Sequence, residues 1–333
     1  MKFQILIPYY KEPFDVVKPL LDSIAIQQNV DFSEVGVILC NDGGKPFTKR
    51  DLDKAFKTYP FKIEHYICEH KGVSATRNAC MDHATADYVM FCDADDMFCN
   101  VCGLYILFRE FENGFDSLVS AFVEETRDPV TKDVVYINHN IDSTFVHGKV
   151  HRLKYLKANN IRWNDNLTIH EDSYFNCLCQ KIAIPENVKY CPTPFYLWKW
   201  RDESVCRHDP LYLNKTFINM LDSNTALVEQ FLDRGRNDDA AFYAASMIYD
   251  TYYSLNCDRW WEGEGASYLP MTEKRFAEYW FKFKDLSNSI DKQTRAQIIM
   301  GIKNRFFGEG LLLERVTFDD WIKHIEAIGQ KGD

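Results

Sequence analysis

Over the first hundred residues, short apolar runs alternate with amphipathic stretches. Residues 2–8 read as a strand, and residues 14–28 carry Val17, Leu20, Leu21 and Ile24 at helical spacing. Pro13 stands where it can open that helix. A second apolar run at 35–40 breaks into Asn41-Asp42-Gly43-Gly44, a strong turn signal. Residues 52–57 predict a helix, 62–68 a third strand, and 71–84 a further helix. A fourth apolar run starts at Tyr88. Such β-α-β-α alternation predicts a mostly parallel sheet with right-handed crossovers, flanked by helices. Beyond it, 103–112 reads as helix, 117–123 as strand, and the polar stretch 124–133, with Pro129, as a hairpin or loop. A helix is expected at 153–159, another starting at Glu171, and a strand at 195–201. From about residue 211 the pattern becomes helical, with helices expected at 217–232, 240–255, 270–283 and 321–328 and a loop at 260–265. The expected organisation is an α/β domain over 1–210 followed by a helical domain over 211–333.

The fourth apolar run ends abruptly in Asp93-Ala94-Asp95-Asp96. Carboxylates beyond the carboxyl end of a buried parallel strand stand where open α/β sheets bind ligands. Three acids so close repel one another unless a cation neutralises them. Hard oxygen ligands suit Mg²⁺ or Mn²⁺, ions that bridge to substrate phosphates. The plainer alternative is that Asp95 and Asp96 cap a helix beginning near Asn100. The turns after Pro8-Tyr9 and at Asn41-Asp42 fall at the same sheet edge, which predicts one nucleotide pocket. There Tyr9 would stack on a base, Asp42 would accept from it, and Arg77 would meet phosphate or base oxygens. The competing structural roles are a packing aromatic, an Asx turn and a surface ion pair.

Composition narrows the field. The chain has 333 residues, a net charge of −10 and 46% hydrophobic residues, enough for one large domain with an appendage. No apolar run is long enough to span a membrane, and the first residues do not resemble a signal peptide. The expected location is the cytoplasm, with peripheral membrane attachment as a variant. Eleven scattered cysteines read as reduced thiols rather than a zinc site. The acidic balance argues against an extended nucleic-acid footprint. Lys149, Arg152, Lys154 and Lys157 nonetheless form a short basic stretch that could meet phosphates.

Taken in order, Ile5-Leu6-Ile7-Pro8-Tyr9-Tyr10, Cys40-Asn41-Asp42-Gly43-Gly44, Lys71-Gly72-Val73-Ser74-Ala75-Thr76-Arg77-Asn78 and Phe91-Cys92-Asp93-Ala94-Asp95-Asp96 resemble family-2 glycosyltransferases of the GT-A fold. The resemblance continues to about residue 208. It implies an inverting, metal-dependent enzyme using a nucleotide-sugar donor, with 1–115 as the donor half and 116–210 as the acceptor half. Pro8, Tyr9 and Asp42 match the family's base-binding positions, and Asp93, Asp95 and Asp96 its Asp-x-Asp motif. Tyr10, Glu12, Arg77, Ala94, Arg201 and Arg207 complete the expected nucleotide-sugar contacts. Expected metal ligands are Asp95, Asp93, Asp96 and, in the loop after the last strand, His208, for Mn²⁺ or Mg²⁺. The family's general base matches Asp172, with Glu171 as second choice. Two departures stand out: Asn41 replaces one of the usual two acids, and Lys11 replaces an Asn. Uridine is therefore the expected base on the strength of Asp42 alone. The default acceptor is a bacterial surface glycan, and hydroxymethylated DNA, modified by a phage enzyme, is the alternative. Other classes considered are a nucleotidyltransferase, which lacks its glycine- and lysine-rich loop here, and a non-catalytic nucleotide-sugar-binding module. Trp260 and Trp261 are candidates for acceptor stacking.

Overall fold

The chain divides into two compact units, Met1–Asp202 and Glu203–Asp333. The computed structural model describes residues 1–140, 142–202, 209–256, 261–308, 310 and 316–330.

The first unit is built on one nine-stranded sheet. Its strands are β1 (Phe3–Tyr9), β2 (Val35–Asn41), β3 (Lys62–Ile67), β4 (Tyr88–Phe91), β5 (Met97–Phe98), β6 (Ser117–Arg127), β7 (Val134–His139), β8 (Lys149–Arg152) and β9 (Val188–Trp198). Their order is β3-β2-β1-β4-β8-β6-β9-β5, with β7 paired to β6. The first four strands are parallel, as the alternation predicts. The remainder is mixed: β8 runs antiparallel to β4 and β6, and β9 is parallel to β6. Stretch 124–133, expected as a hairpin or loop, closes a β-hairpin. β6 continues to Arg127, and a short turn returns the chain as β7, a connection only antiparallel strands allow.

Every residue of β1 and β2 is buried, which is why both read as unbroken apolar runs. Helix α1 (Phe14–Ala25) buries Val17, Leu20, Leu21 and Ile24 in the same core as Phe3, Ile5, Ile7, Val35, Val37 and Leu39. At roughly 1.5–3 kcal/mol per fully buried aliphatic side chain, those four contribute on the order of 6–12 kcal/mol before entropy is charged. Pro13, with φ −67°, is the N-cap residue of this helix. Helices α2 (Lys49–Thr58), α3 (Val73–His83), α4 (Gly103–Asn113), α5 (Leu153–Ala158) and α6 (Glu171–Ile182) complete the unit.

The strand order places the cleft. From β1 the chain steps one way to β2 and β3, then crosses to β4 on the other side. β1 pairs with β4 only as far as Leu6 opposite Phe91, whereas it pairs with β2 through Tyr9 opposite Asn41. Past Leu6 the two strands part at their carboxyl ends, a topological switch point. The acidic turn begins there.

In the second unit, α7 (Tyr212–Asp233), α8 (Asn237–Leu255), α9 (Leu269–Asn288), α10 (Lys292–Gly308) and α11 (Phe318–Gly329) form a helical bundle. α8 is central, packing on α7, α9 and α10. Its buried Ala240, Ala241, Ala244 and Ala245 allow close helix approach. α10 escaped the pattern reading because it buries only Ile298 and Phe306, too few for an amphipathic signature. The end of the stretch expected as loop, residues 263–265, falls in a 3₁₀ helix, Gly263–Tyr268. Among the described residues, no helix is long and apolar enough to cross a membrane.

Candidate active site

Four segments meet at the switch point. The acidic turn follows β4, and its carboxylates do not cap the next helix. α4 begins after Cys102 with no side-chain cap. Asp96 instead turns inward and is 1% exposed. It accepts from the Tyr196 hydroxyl and, at 2.9 Å, from the Lys199 amide. The Tyr196 oxygen also accepts from the Asp93 amide at 3.3 Å, so one β9 hydroxyl fixes both ends of the turn. Burial, reinforced by Asp93 and Asp95, holds the Asp96 carboxyl well above its ordinary range. Asp93 and Asp95 face outward, 34% and 24% exposed. Asp95 Oδ2 pairs with Arg201 Nη1 at 2.8 Å.

Arg77 joins this turn to the second acidic pair. It is 4% exposed, donating to Asp93 Oδ1 at 3.0 Å and Glu171 Oε1 at 2.8 Å. Its guanidinium lies over the Trp163 ring, 4.4 Å from the centroid. Burial opposes the charge, but Asp93 and Glu171 outweigh it and keep the group protonated. Two neighbours on α3 do similar work: Ser74 donates to the Leu167 carbonyl, and Asn78 to the Trp163 carbonyl and Asp165. Positions 74, 77 and 78 share one helix face, so α3 is a strut holding the loop that leads into α6.

Glu171 and Asp172 open α6, where acids also suit the helix dipole. His170 before them has φ +61°, a left-handed conformation that costs a non-glycine residue on the order of 1 kcal/mol. Burial, then the Glu171 charge, pushes the Asp172 carboxyl up to about 7, with Arg77 pulling the other way. Asp172 Oδ1 accepts from the Ser173 amide at 2.8 Å.

The base-side residues are placed differently from expectation. Tyr9 is a core residue: its ring stacks on Phe47 at 4.0 Å and its hydroxyl lies 2.6 Å from His65 Nε2. Burial raises that hydroxyl to about 12. Pro8 is buried in β1 opposite Cys40. Tyr10 is the more exposed ring, stacked on His70 at 4.5 Å. Glu12 accepts from the Tyr10 and Lys11 amides, stapling the turn after β1. Asp42 accepts from the Lys71 and Gly72 amides at 2.9–3.2 Å, and His70 Nδ1 is 2.9 Å from it. It thereby pins the entry to α3, where Gly72 has φ +93°, an angle suited to glycine. Arg77, expected at phosphate oxygens, has its two amino groups on Asp93 and Glu171 instead, because it is enclosed by Trp163 and two acids.

Lys149 is buried as well, 1% exposed, with Nζ 3.7 Å from Asp142 and donating to the His147 carbonyl. Burial depresses its pKa to about 8 against the pull of Asp142 and Asp172. Arg152 donates to the Phe115 carbonyl, and Lys157 to the Ala84 carbonyl. Lys149 is thus withdrawn from the basic stretch, whereas Lys154 and Lys157 stay exposed. Ala94 is buried within the acidic turn. Arg207, His208 and Trp260 lie outside the described residues.

A divalent cation fits the donor set. Asp93, Asp96 and His147 offer ligand atoms within 4.8 Å of one another, two carboxylates and an imidazole. Burial and then repulsion from Asp93 and Asp95 lift Asp96, and a dication would relieve the repulsion. His147, on the segment before β8, went unnoticed in the sequence, as did Tyr196 and Trp163. Gly148 sets the approach: its φ is +68°, and a Cβ there would meet Ser120 Oγ at 2.2 Å. No local motif marks these residues: strand pairing of β8 and β9 brings His147 and Tyr196 to the site, and Asn78 on α3 holds Trp163.

A switch-point cleft with an acidic turn on one wall and a second carboxylate pair on the other is the arrangement of a group-transfer site. The chain belongs to glycosyl transferase family 2, whose model matches residues 4–176. It is similar to the minor teichoic acid biosynthesis protein GgaB of Bacillus subtilis (strain 168), 23% identical over 312 residues, covering 87% of this chain and 32% of GgaB. It is also similar to the succinoglycan biosynthesis protein ExoM of Rhizobium meliloti (strain 1021), 28% identical over 76 residues, covering 23% of this chain and 25% of ExoM. The chain thus spans about a third or less of these curated relatives. Among solved structures, residues 1–349 of S. aureus TarS share the fold at TM-score 0.60 and 15% identity, over 93% of this chain and 92% of that one. The same TarS segment crystallised with UDP matches at TM-score 0.59 and 14% identity, over 93% and 92% of the two chains.

Proposed function

We propose that the chain transfers a sugar from a UDP-sugar to a hydroxyl of a surface glycan, by a single inverting displacement. The observation that carries this is Arg77, which ties Asp93 of the acidic turn to Glu171 beside Asp172 and so couples donor and acceptor walls. Glu171 is engaged by Arg77, which leaves Asp172 to take the acceptor proton. A base with a pKa of about 7 is matched to neutral pH. In-line attack needs that carboxylate beside the acceptor oxygen as it reaches the anomeric carbon. A bound Mn²⁺ or Mg²⁺ would be held by Asp93, Asp95 and Asp96 with His147, and would supply positive charge against the departing diphosphate. Arg201, now on Asp95, is the phosphate partner nearest the acidic turn. Asp42 and the half-buried Tyr10 ring form the base end of the cleft. UDP is favoured because TarS was crystallised with UDP and with UDP-GlcNAc. A glycan acceptor is favoured because the relatives serve teichoic acid and succinoglycan biosynthesis. The division near residue 202 supports a separate helical domain following the catalytic one. The test is UDP release from a panel of UDP-sugars with Mn²⁺, repeated with EDTA. Release abolished by chelation supports the reading. No release from any donor, or release indifferent to EDTA, refutes it.

A further inference from the structure

The helical unit holds a cavity of about 370 Å³ that the transfer reaction does not use. It lies among helix ends: Asn256 follows α8, Glu273 is on the first turns of α9, and Trp321 and His324 are on α11. Trp261 and Glu262 enter from the segment before the 3₁₀ helix. The volume falls near the small end of ligand pockets, roughly 300–1,000 Å³, room for one or two sugar rings. Its walls are preorganised. Trp261 donates its indole N–H to the Ser254 carbonyl at 2.9 Å. Trp321 is wedged between Tyr252 and Phe276, with centroids at 5.3 and 4.8 Å. His324 Nε2 lies 3.1 Å from Glu273 Oε1, bridging α11 and α9. Positions 321 and 324 share a helix face, which brings indole and imidazole to the cavity together.

We propose that this cavity is a binding site for a neutral pyranose. Two carboxylates, Glu262 and Glu273, disfavour phosphate, nucleotide or any other anion. The same carboxylates, with the Asn256 amide and His324, accept and donate hydrogen bonds to ring hydroxyls. The edges of the two indoles, with Leu255, Leu269 and Val316, make up the apolar side of the cavity. Its use would be to hold a further residue of the glycan acceptor, raising the effective concentration of the chain end. That role, unlike the binding itself, rests on the glycan-acceptor reading above.

Saturation-transfer NMR on the full chain tests it. The probes are the methyl glycosides of glucose, galactose, N-acetylglucosamine and N-acetylgalactosamine, with excess UDP present to keep the donor site filled. At least one glycoside should show transfer. The double variant Glu262→Gln/Glu273→Gln should weaken it about tenfold or more, since each change trades a charged acceptor for a neutral one. His324→Leu should weaken it as well, guarding against misfolding of either variant, and an unchanged melting temperature completes the control. Transfer to no glycoside, or transfer equal in wild type and variants, overturns the proposal. So does selective binding of tetramethylammonium with no sugar binding, which would mark a cation cage. Sugar binding lost in the variants while wild type releases no UDP from any donor would sink the transfer reading and leave the pocket standing.

Discussion

Replacing Asp172 by Asn separates catalysis from stability, and the two should move in opposite directions. The carboxyl is raised from 3.8 to about 7, chiefly by burial and by Glu171. Between those values the folded chain holds more protons than the unfolded one, so stability falls as pH rises through that window. At about 1.4 kcal/mol per pH unit, the ionised side chain costs the fold up to about 4 kcal/mol above pH 7 and almost nothing below pH 4. Asn cannot ionise, and its carbonyl can still accept from the Ser173 amide. Asp172→Asn should therefore stabilise the α/β unit at pH 8, by between about 1 and 4 kcal/mol, or several degrees in its thermal transition. The gain should vanish near pH 4. UDP release coupled to transfer should meanwhile fall by two orders of magnitude or more, the scale of a lost general base. Differential scanning calorimetry at the two pH values and a donor-turnover assay measure both. Should Asp172→Asn leave turnover within a few-fold, or destabilise the protein at pH 8 as much as at pH 4, the buried-base assignment is wrong.

Other outcomes follow from the same contacts. Wild-type kcat/KM should rise with pH through an acid limb near 7, and removing the charge with Arg77→Met should move that limb higher, because the Arg77 charge lowers the Asp172 pKa; a pH–rate profile reads it. Arg77→Met leaves Asp93 and Glu171 without their buried partner and should cost about 3–5 kcal/mol in denaturant unfolding. Asp95→Asn should abolish Mn²⁺-dependent UDP release while changing stability by at most about 1 kcal/mol, since its pair with Arg201 is partly exposed. Tyr196→Phe removes the hydroxyl shared by Asp96 and the Asp93 amide, and should cost about 1–3 kcal/mol and loosen the acidic turn, seen as weaker Mn²⁺ binding by calorimetry.

What the sequence discloses, and what it hides, follows from how far each contact reaches along the chain. β1, β2 and β4 announce themselves because both of their faces are covered and the runs are continuous. The acidic turn announces itself by residue type, and the Glu171-Asp172 pair through the family resemblance. Their connection does not, because it spans 94 residues between Arg77 and Glu171 and 100 between Asp96 and Tyr196. Single-residue chemistry also misleads when burial is unknown. Tyr9 and Lys149 look like ligand-facing groups, yet one packs on Phe47 and the other lies under Phe122 and beside Asp142. Arg77 is the instructive case. Its place at the head of a helix and its planar fork suggested an anion partner, and anions are what it has. They are the protein's own carboxylates, placed there because Trp163 roofs the site while β4 ends and α6 begins on either side. A buried cation between two acidic elements does more than bind either one. It makes the geometry of the acceptor wall depend on the turn that would hold the metal, so that displacing Asp93 toward a bound ion must also be felt at Asp172.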